Sequence, residues 1–134
     1  MMWMEIDLQS EVPIYTQLVD QLIEGIASGQ LKPGDPLPSV RSLAADLGIN
    51  LHTVNKAYQL LKQEGFLQVH RKQGVVVQPG GMPGVTDAFA AKLQRQLRTL
   101  AAEAAVRGMS ESEFADRSAQ AYRQLMTNQG GEAR

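Results

Sequence analysis

Apolar residues recur at helical spacing over the first part of the chain. Between Pro13 and Gly29 they return every three or four positions, which predicts an amphipathic helix with one wide stripe packed on a core. Pro13 suits the first turn of this helix, where its missing N–H costs nothing, and Gly29 suits its end. Just upstream, polar and apolar residues alternate over residues 5–8, a period that predicts a short, half-buried strand.

Two short helices around a glycine turn are predicted next. Prolines disfavour helix over residues 32–38, and Ser39 then provides a good N-cap for a helix whose buried positions follow the spacing i, i+3, i+4, i+7. Gly48 ends this helix, and Asn50 caps a second helix with the same spacing. The apolar positions of the second helix are Val54, Ala57, Tyr58 and Leu61.

A hairpin is predicted directly after these helices. Residues 66–70 and 75–77 are strand-like in composition, and the basic turn over residues 71–74 ends in a glycine. Two short helices and a hairpin in this order are typical of a winged helix-turn-helix, in which the second helix enters the major groove of DNA. We expect this domain to occupy residues 1–78.

A smaller helical region is expected at the C-terminal end. Residues 79–85 form a linker rich in glycine and proline, and residues 86–128 carry two amphipathic helices separated at Gly108, with Ser110 as a cap. Residues 129–134 are expected to form a flexible tail. The predicted fold class is α+β, mainly α, with an N-terminal winged helix-turn-helix followed by a two-helix hairpin.

Composition restricts the classes of protein that this sequence encodes. The 134 residues contain no cysteine, which excludes disulfides and cysteine chemistry and fits a cytoplasmic protein. No apolar run approaches the length of a membrane span. The formal net charge is -1, but residues 31–74 carry six basic against three acidic side chains. This local excess is either a phosphate-facing surface or ordinary solvated surface, and charge alone favours the second.

The outer face of the second short helix offers side chains suited to nucleic acid. Asparagine and threonine hydrogen-bond base edges in the major groove, His52 can donate or accept there, and Lys56 suits a phosphate. Arg41, in the preceding helix, suits a guanine or a phosphate, and the basic turn of the hairpin suits the DNA backbone or an adjacent minor groove. The alternative for His52 is a solvated helix residue. We interpret His70 as a strand-surface residue, because no histidine or carboxylate cluster has metal-ligand spacing beside it.

Four motifs in a fixed order connect the sequence with a known family. They are Pro13-Ile14-Tyr15-x-Gln17, Gly29-x-Leu31-x-Pro33-Gly34-Asp35-x-Leu37-Pro38-Ser39-Val40-Arg41-x-Leu43-Ala44, Thr53-Val54-x-Lys56-Ala57-Tyr58 and Glu64-Gly65. Together they resemble the N-terminal domain of GntR-family bacterial transcription regulators, over about residues 5–77. The resemblance implies a dimer that binds a palindromic operator in double-stranded DNA, usually as a repressor relieved by a small effector.

The resemblance also implies which residues contact DNA. Contacts are expected from the position of Arg41, from the start of the recognition helix and from the wing. The sequence departs from the usual pattern at Leu51, where some members carry a basic or polar residue, and in the wing, which lacks the usual Gly-x-Gly-Thr run. The expected DNA-binding residues are Ser39, Arg41, Asn50, Leu51, His52, Thr53, Asn55, Lys56, Arg71, Lys72, Gln73 and Gly74.

The short C-terminal region is similar to that of the YtrA-type subfamily, in which two helices serve dimerisation and the regulated genes often encode transporters. A two-helix hairpin cannot bury both of its apolar faces alone, whereas a second copy completes the core with two-fold symmetry. The expected dimerisation residues are Phe89, Leu93, Leu97, Leu100, Phe114, Tyr122 and Leu125.

Two other classes of function stand beside the DNA-binding regulator. One is a winged-helix module for protein interaction or effector sensing without operator readout. The other is a small hydrolase, which is disfavoured because the sequence offers no Ser-His-Asp setting and no paired carboxylates. We therefore predict no enzyme, no catalytic residue, no metal site and no cofactor, and the sequence does not identify an effector.

Overall fold

The computed structural model describes residues 4–132, with the side chains of residues 4–127. This part of the chain divides after residue 82 into an N-terminal and a C-terminal unit. The fold is mainly helical, with a winged helix-turn-helix in the N-terminal unit and two helices in the other, as the sequence predicts. The elements are α1 (Ile14–Ser28), α2 (Val40–Leu47), α3 (Leu51–Gln63), β1 (Leu67–His70), β2 (Gly74–Val77), α4 (Asp87–Val106) and α5 (Glu111–Glu132).

The boundaries of α1 and α2 follow the local signals in the sequence. Pro13 is the N-cap of α1, one position before its predicted place in the first turn, and Gly29 ends the helix in the left-handed conformation. The Ser39 hydroxyl accepts a 3.1 Å hydrogen bond from the Ser42 N–H and so caps α2. Gly48 ends α2 at φ +68°, a backbone conformation that favours glycine.

One hydrophobic core lies between α1, α2, α3 and the hairpin. The buried residues of α3 are the four that the spacing predicts, and they meet Leu18 and Leu22 of α1 and Leu43 of α2. Among them, the Tyr58 hydroxyl donates a 2.8 Å hydrogen bond to the carbonyl oxygen of Pro38. Burial raises the pKa of the Tyr58 phenol above its usual range, so the neutral hydroxyl remains a donor.

The proline-rich segment before α2 is paired along the hairpin. β1 and β2 form an antiparallel ladder, and the backbone N–H groups of Gly34 and Leu37 each donate a 2.8 Å hydrogen bond to β2 carbonyls. The Val77 N–H donates in return to the carbonyl oxygen of Asp35. The segment therefore fixes the hairpin to the entrance of α2, although proline keeps it out of a regular strand.

Residues 5–8 do not form the predicted strand. The Asp7 N–H donates to Gln17 Oε1 at 2.9 Å, and Gln17 Nε2 donates back to the Asp7 carbonyl oxygen at 3.0 Å. Gln21 makes the same reciprocal pair of hydrogen bonds with the backbone of Glu5. Amide side chains of α1 thus satisfy backbone groups that a partner strand would otherwise satisfy, and the prediction of a strand is wrong.

The C-terminal unit contains α4 and α5. The Thr86 hydroxyl caps α4, and Gly108 turns the chain at φ +90° between the two helices. The Ser110 hydroxyl accepts a 3.1 Å hydrogen bond from the Glu113 N–H, which is one half of a capping box. The Glu113 carboxylate pairs with Arg117 one turn further along α5.

The end of α5 differs from the expected tail. The helix continues to Glu132, whereas we expected a flexible tail over residues 129–134, of which 133 and 134 lie outside the described residues. Among the helices described between residues 4 and 132, none has the length and apolar character needed to cross a membrane.

Candidate nucleic-acid interface

The helical period defines an outward face on α3. The four buried residues occupy one side of the helix, and with 3.6 residues per turn His52, Lys56 and Gln59 lie on the opposite side. Asn55 and Thr53 lie on the two flanks of this outward strip. All of these side chains are exposed except that of Thr53, which is half-buried. The polar residues near the start of α3 therefore form a continuous surface that faces away from the core.

The two N-cap residues of the motif use their side chains locally. Asn50 Oδ1 accepts a 2.7 Å hydrogen bond from the His52 N–H, which leaves the Asn50 amide nitrogen as a donor. Ser39 caps α2 and is exposed at the same time. Leu51 differs from its neighbours in the predicted set, because it is half-buried and packs against the hydrophobic core.

Lys56 is held in place by an aromatic ring of α1. Its Nζ lies 4.7 Å from the centroid of the Tyr15 ring, within the range of a cation–π interaction. Tyr15 is half-buried and packs against the core, so the ring is a fixed platform, whereas Lys56 stays exposed. Arg41 is also exposed, in the first turn of α2. Both cations remain accessible to a phosphate.

The hairpin closes with a three-residue loop that carries two cations. His70 pairs with Gly74 in the ladder, so Arg71, Lys72 and Gln73 form the loop, and Gly74 adopts φ +78°. All four predicted wing residues are exposed. His70 Nδ1 accepts hydrogen bonds from the backbone N–H groups of Lys72 and Gln73, each 3.1 Å long. A side chain of the first strand thus sets the shape of the wing loop.

The roles of two residues of this surface were not identified from the sequence. Tyr15 packs against the core and is also a platform for Lys56, and the second role depends on the packing of α1 against α3, which one sequence does not show. His70 was expected to be a surface residue of the strand. It accepts hydrogen bonds from N–H groups two and three residues further along the chain. Other polar side chains cap local backbone groups at the same spacing, so the sequence contained a signal for this role. Among the side chains that the structure describes, those of residues 4–127, no group of three or more potential ligands forms a metal site.

The apolar stripe of α4 is exposed in the single chain. Phe89 is 46% exposed, Leu93 45%, Leu97 37% and Leu100 59%. On α5, the three expected dimerisation residues are Phe114 and Leu125, which are half-buried, and Tyr122, which is 69% exposed. The stripe on α4 therefore consists of large apolar side chains, as a hydrophobic core does, but these side chains are exposed.

Comparison with known proteins gives matches that include the winged helix-turn-helix. A family model described as bacterial regulatory proteins, gntR family, matches residues 14–77. The chain is 35% identical over 105 residues to the HTH-type transcriptional repressor YtrA of Bacillus subtilis (strain 168), which covers 78% of this chain and 81% of that repressor.

Two solved structures extend the likeness to the fold. YtrA from Sulfolobus acidocaldarius, a GntR-family transcription factor, is 48% identical, with a TM-score of 0.59 over 73% of this chain and 97% of that one. A transcriptional antiterminator from Listeria monocytogenes EGD-e matches with a TM-score of 0.82 over 90% of both chains. Its identity is 23%, so this second match concerns the fold alone.

Proposed function

The chain belongs to the gntR family of bacterial regulatory proteins, and from that premise we propose that it is a homodimeric repressor of transcription that reads a palindromic operator. The family makes it a DNA-binding transcription regulator and not an enzyme. The observation that carries the proposal is the polar outward face of α3, which a capped and tightly packed helix-turn-helix presents to solvent.

We assign base reading to the first turns of α3. Asn55 has the paired donor and acceptor that match adenine, and Thr53 and His52 can each donate or accept at a base edge. Asn50 keeps its amide nitrogen free to donate while its oxygen caps the helix. Leu51 packs against the core, so it is not part of the base-reading set in this proposal.

We assign positioning on the DNA backbone to the cations around α3. Arg41 at the start of α2 and Lys56 beside Tyr15 are exposed cations that suit phosphates near the base-reading residues. Arg71 and Lys72 on the wing loop suit the backbone or an adjacent minor groove. These are four of the six basic side chains in residues 31–74. Ser39, Gln73 and Gly74 complete the proposed contact surface.

The exposed stripe of α4 and α5 supports a homodimer. Burying a leucine or phenylalanine side chain contributes about 1.5–3 kcal/mol, so several of them on one stripe favour association with an equally apolar surface. A second copy supplies such a surface by two-fold symmetry. Two copies of α3 related in this way match the half-sites of a palindrome about one helical turn, or a multiple of it, apart.

Repression is the direction of regulation that we favour, because YtrA of Bacillus subtilis, which is 35% identical over 105 residues, is described as a transcriptional repressor. We propose that the regulated genes are a transporter or neighbouring operon, and we place the protein in the cytoplasm with the DNA that it regulates. No effector is assigned.

Selection of genomic fragments followed by footprinting tests this proposal. The full chain is mixed with sheared genomic DNA at moderate salt, and the retained fragments are sequenced and footprinted. We expect protection of a palindrome in two half-sites on one face of the duplex. If no fragment gives a protected palindrome, the operator-reading proposal fails and the winged-helix interaction module becomes the better account.

A further inference from the structure

The wing loop is held by hydrogen bonds from its own backbone to a single ring nitrogen. Residues 71–73 connect β1 to β2, and the N–H groups of Lys72 and Gln73 both point to His70 Nδ1 at 3.1 Å. The partner of His70 across the ladder is Gly74, whose positive φ completes the reversal of the chain. Two of the N–H groups in the loop are therefore satisfied by one side chain.

These two hydrogen bonds fit one tautomer of the neutral ring. Nδ1 carries no proton when it accepts from the two N–H donors, so the tautomer that makes both bonds has its hydrogen on Nε2. In an Asx turn, an aspartate or asparagine oxygen accepts a hydrogen bond from a backbone N–H a few residues further along the chain. The Nδ1 atom of His70 has the same role in the wing loop. His70 thus contributes to the wing through a specific atom and not only through its bulk.

We propose that His70 is a positioning residue for DNA binding, which fixes the wing loop so that Arg71 and Lys72 meet the DNA backbone without reordering. This inference rests on the proposed function. Ordering a mobile loop during association lowers affinity, and a loop that is already ordered avoids this loss. The cations of the loop make the contacts, whereas His70 acts through them.

Two substitutions separate the acceptor from the ring. His70→Val suits a strand position but has no acceptor, and His70→Asn keeps a side-chain oxygen at the end of a short stem. We expect His70→Val to weaken operator binding about fivefold, the factor that corresponds to one typical hydrogen bond, and His70→Asn to recover most of this loss. Thermal unfolding of both variants is measured alongside, to detect any loss of the domain itself.

A double-mutant cycle distinguishes positioning from a general structural effect. In a chain that already carries Arg71→Ala and Lys72→Ala, His70→Val is expected to cause no further loss of affinity, because the contacts that it positions are absent. A footprint of His70→Val is expected to lose protection beside the half-sites and to keep it within them. An equal loss in both backgrounds would overturn the inference.

Nitrogen-15 spectra of the imidazole test the inference without DNA. At mildly alkaline pH we expect His70 to be in the Nε2–H tautomer, with the amide protons of Lys72 and Gln73 slowed in exchange relative to His70→Val. A ring in the Nδ1–H tautomer would overturn the inference, whatever the operator result. If the tautomer is as expected and no operator is bound, the proposed function fails, and this inference fails with it. If operator is bound equally by wild type and His70→Val, only the role of His70 is lost.

Discussion

The Tyr58 hydroxyl donates a 2.8 Å hydrogen bond to the Pro38 carbonyl oxygen and ties the recognition helix to the residue before the cap of α2. The two residues are twenty positions apart in the chain, and the phenol ring lies in the core with 1% of its surface exposed. This bond fixes α3 relative to the start of α2, where Ser39 and Arg41 lie. The angle at which the motif presents its outward face is thus set from inside the core.

Replacing Tyr58 with phenylalanine tests this connection. The ring and its packing stay, while the partly buried Pro38 carbonyl loses its donor, so we expect Tyr58→Phe to lower the free energy of unfolding at pH 7 by about 1–2 kcal/mol. Chemical denaturation measures the change. A free energy of unfolding equal to that of wild type would show that the bond is not formed.

Alkaline pH gives a second measurement on the same pair of proteins. The folded-state pKa of Tyr58 is raised, so the neutral phenol stabilises the fold below the unfolded pKa of about 10, and this contribution is lost as pH rises above it. The slope from one such group is at most about 1.4 kcal/mol per pH unit. We therefore expect the difference in free energy of unfolding between wild type and Tyr58→Phe to become smaller above about pH 10. A difference that stays constant with pH would contradict the assigned burial of Tyr58.

Salt dependence tests the role of Lys56 and its platform. Lys56→Met is expected to reduce the slope of log affinity against log salt by about one, because one phosphate contact is lost, with a similar effect on every DNA sequence. Tyr15→Leu is expected to weaken binding by about twofold to fivefold through loss of the cation–π interaction, and Tyr15→Phe to keep it. In the Lys56→Met background, Tyr15→Leu is expected to have no further effect. A further loss there would show that Tyr15 acts independently of Lys56.

The helix-turn-helix was predictable because its signals are local. The four buried positions of α3, the Ser39 cap and the Gly48 stop all depend on neighbours within one turn, and each is found as expected. The chemistry of the outward face of α3 follows from the same period. The platform role of Tyr15 and the partial burial of Leu51 were not predicted, because spacing alone does not show which neighbour a side chain meets.

The N-terminal segment shows where a periodic pattern is insufficient. Alternation over residues 5–8 predicts an extended backbone but does not identify the groups that satisfy it. Here these groups are the amides of Gln17 and Gln21, one helical turn apart on α1. The same holds for the exposed stripe of α4. Its periodic pattern predicts a buried face but does not identify the surface that covers this face.

Substitution of Gln17 tests the attachment of this segment. The Gln17 side chain joins the backbone of Asp7 and the Val12 carbonyl oxygen by three hydrogen bonds of 2.8–3.0 Å. We expect Gln17→Ala to lower the free energy of unfolding by about 1–2 kcal/mol and to speed amide exchange at Asp7. Gln63→Ala, at the exposed last position of α3, is the matched control and is expected to change stability by less than about 0.5 kcal/mol. Equal effects of the two substitutions would contradict the attachment.

The dimer is tested by placing a charge on the stripe of α4. Leu93→Asp puts an unpaired carboxylate on the apolar face, and we expect the full chain to sediment as a monomer and to bind the operator at least tenfold more weakly. Ala91→Asp introduces the same charge two positions away, on the opposite side of the helix, and is expected to remain dimeric. A Leu93→Asp protein that still sediments as a dimer would place the interface elsewhere.

The central claim is that the outward face of α3 reads the bases of an operator. It is tested most directly by measuring wild type and Asn55→Ala against the selected operator and against copies with each half-site base pair changed in turn. We predict that one base change costs wild type about 1–3 kcal/mol of binding free energy, and that Asn55→Ala no longer distinguishes that base. The account would be contradicted if Asn55→Ala, and equivalent substitutions at Thr53 and His52, retained the full base preference of wild type.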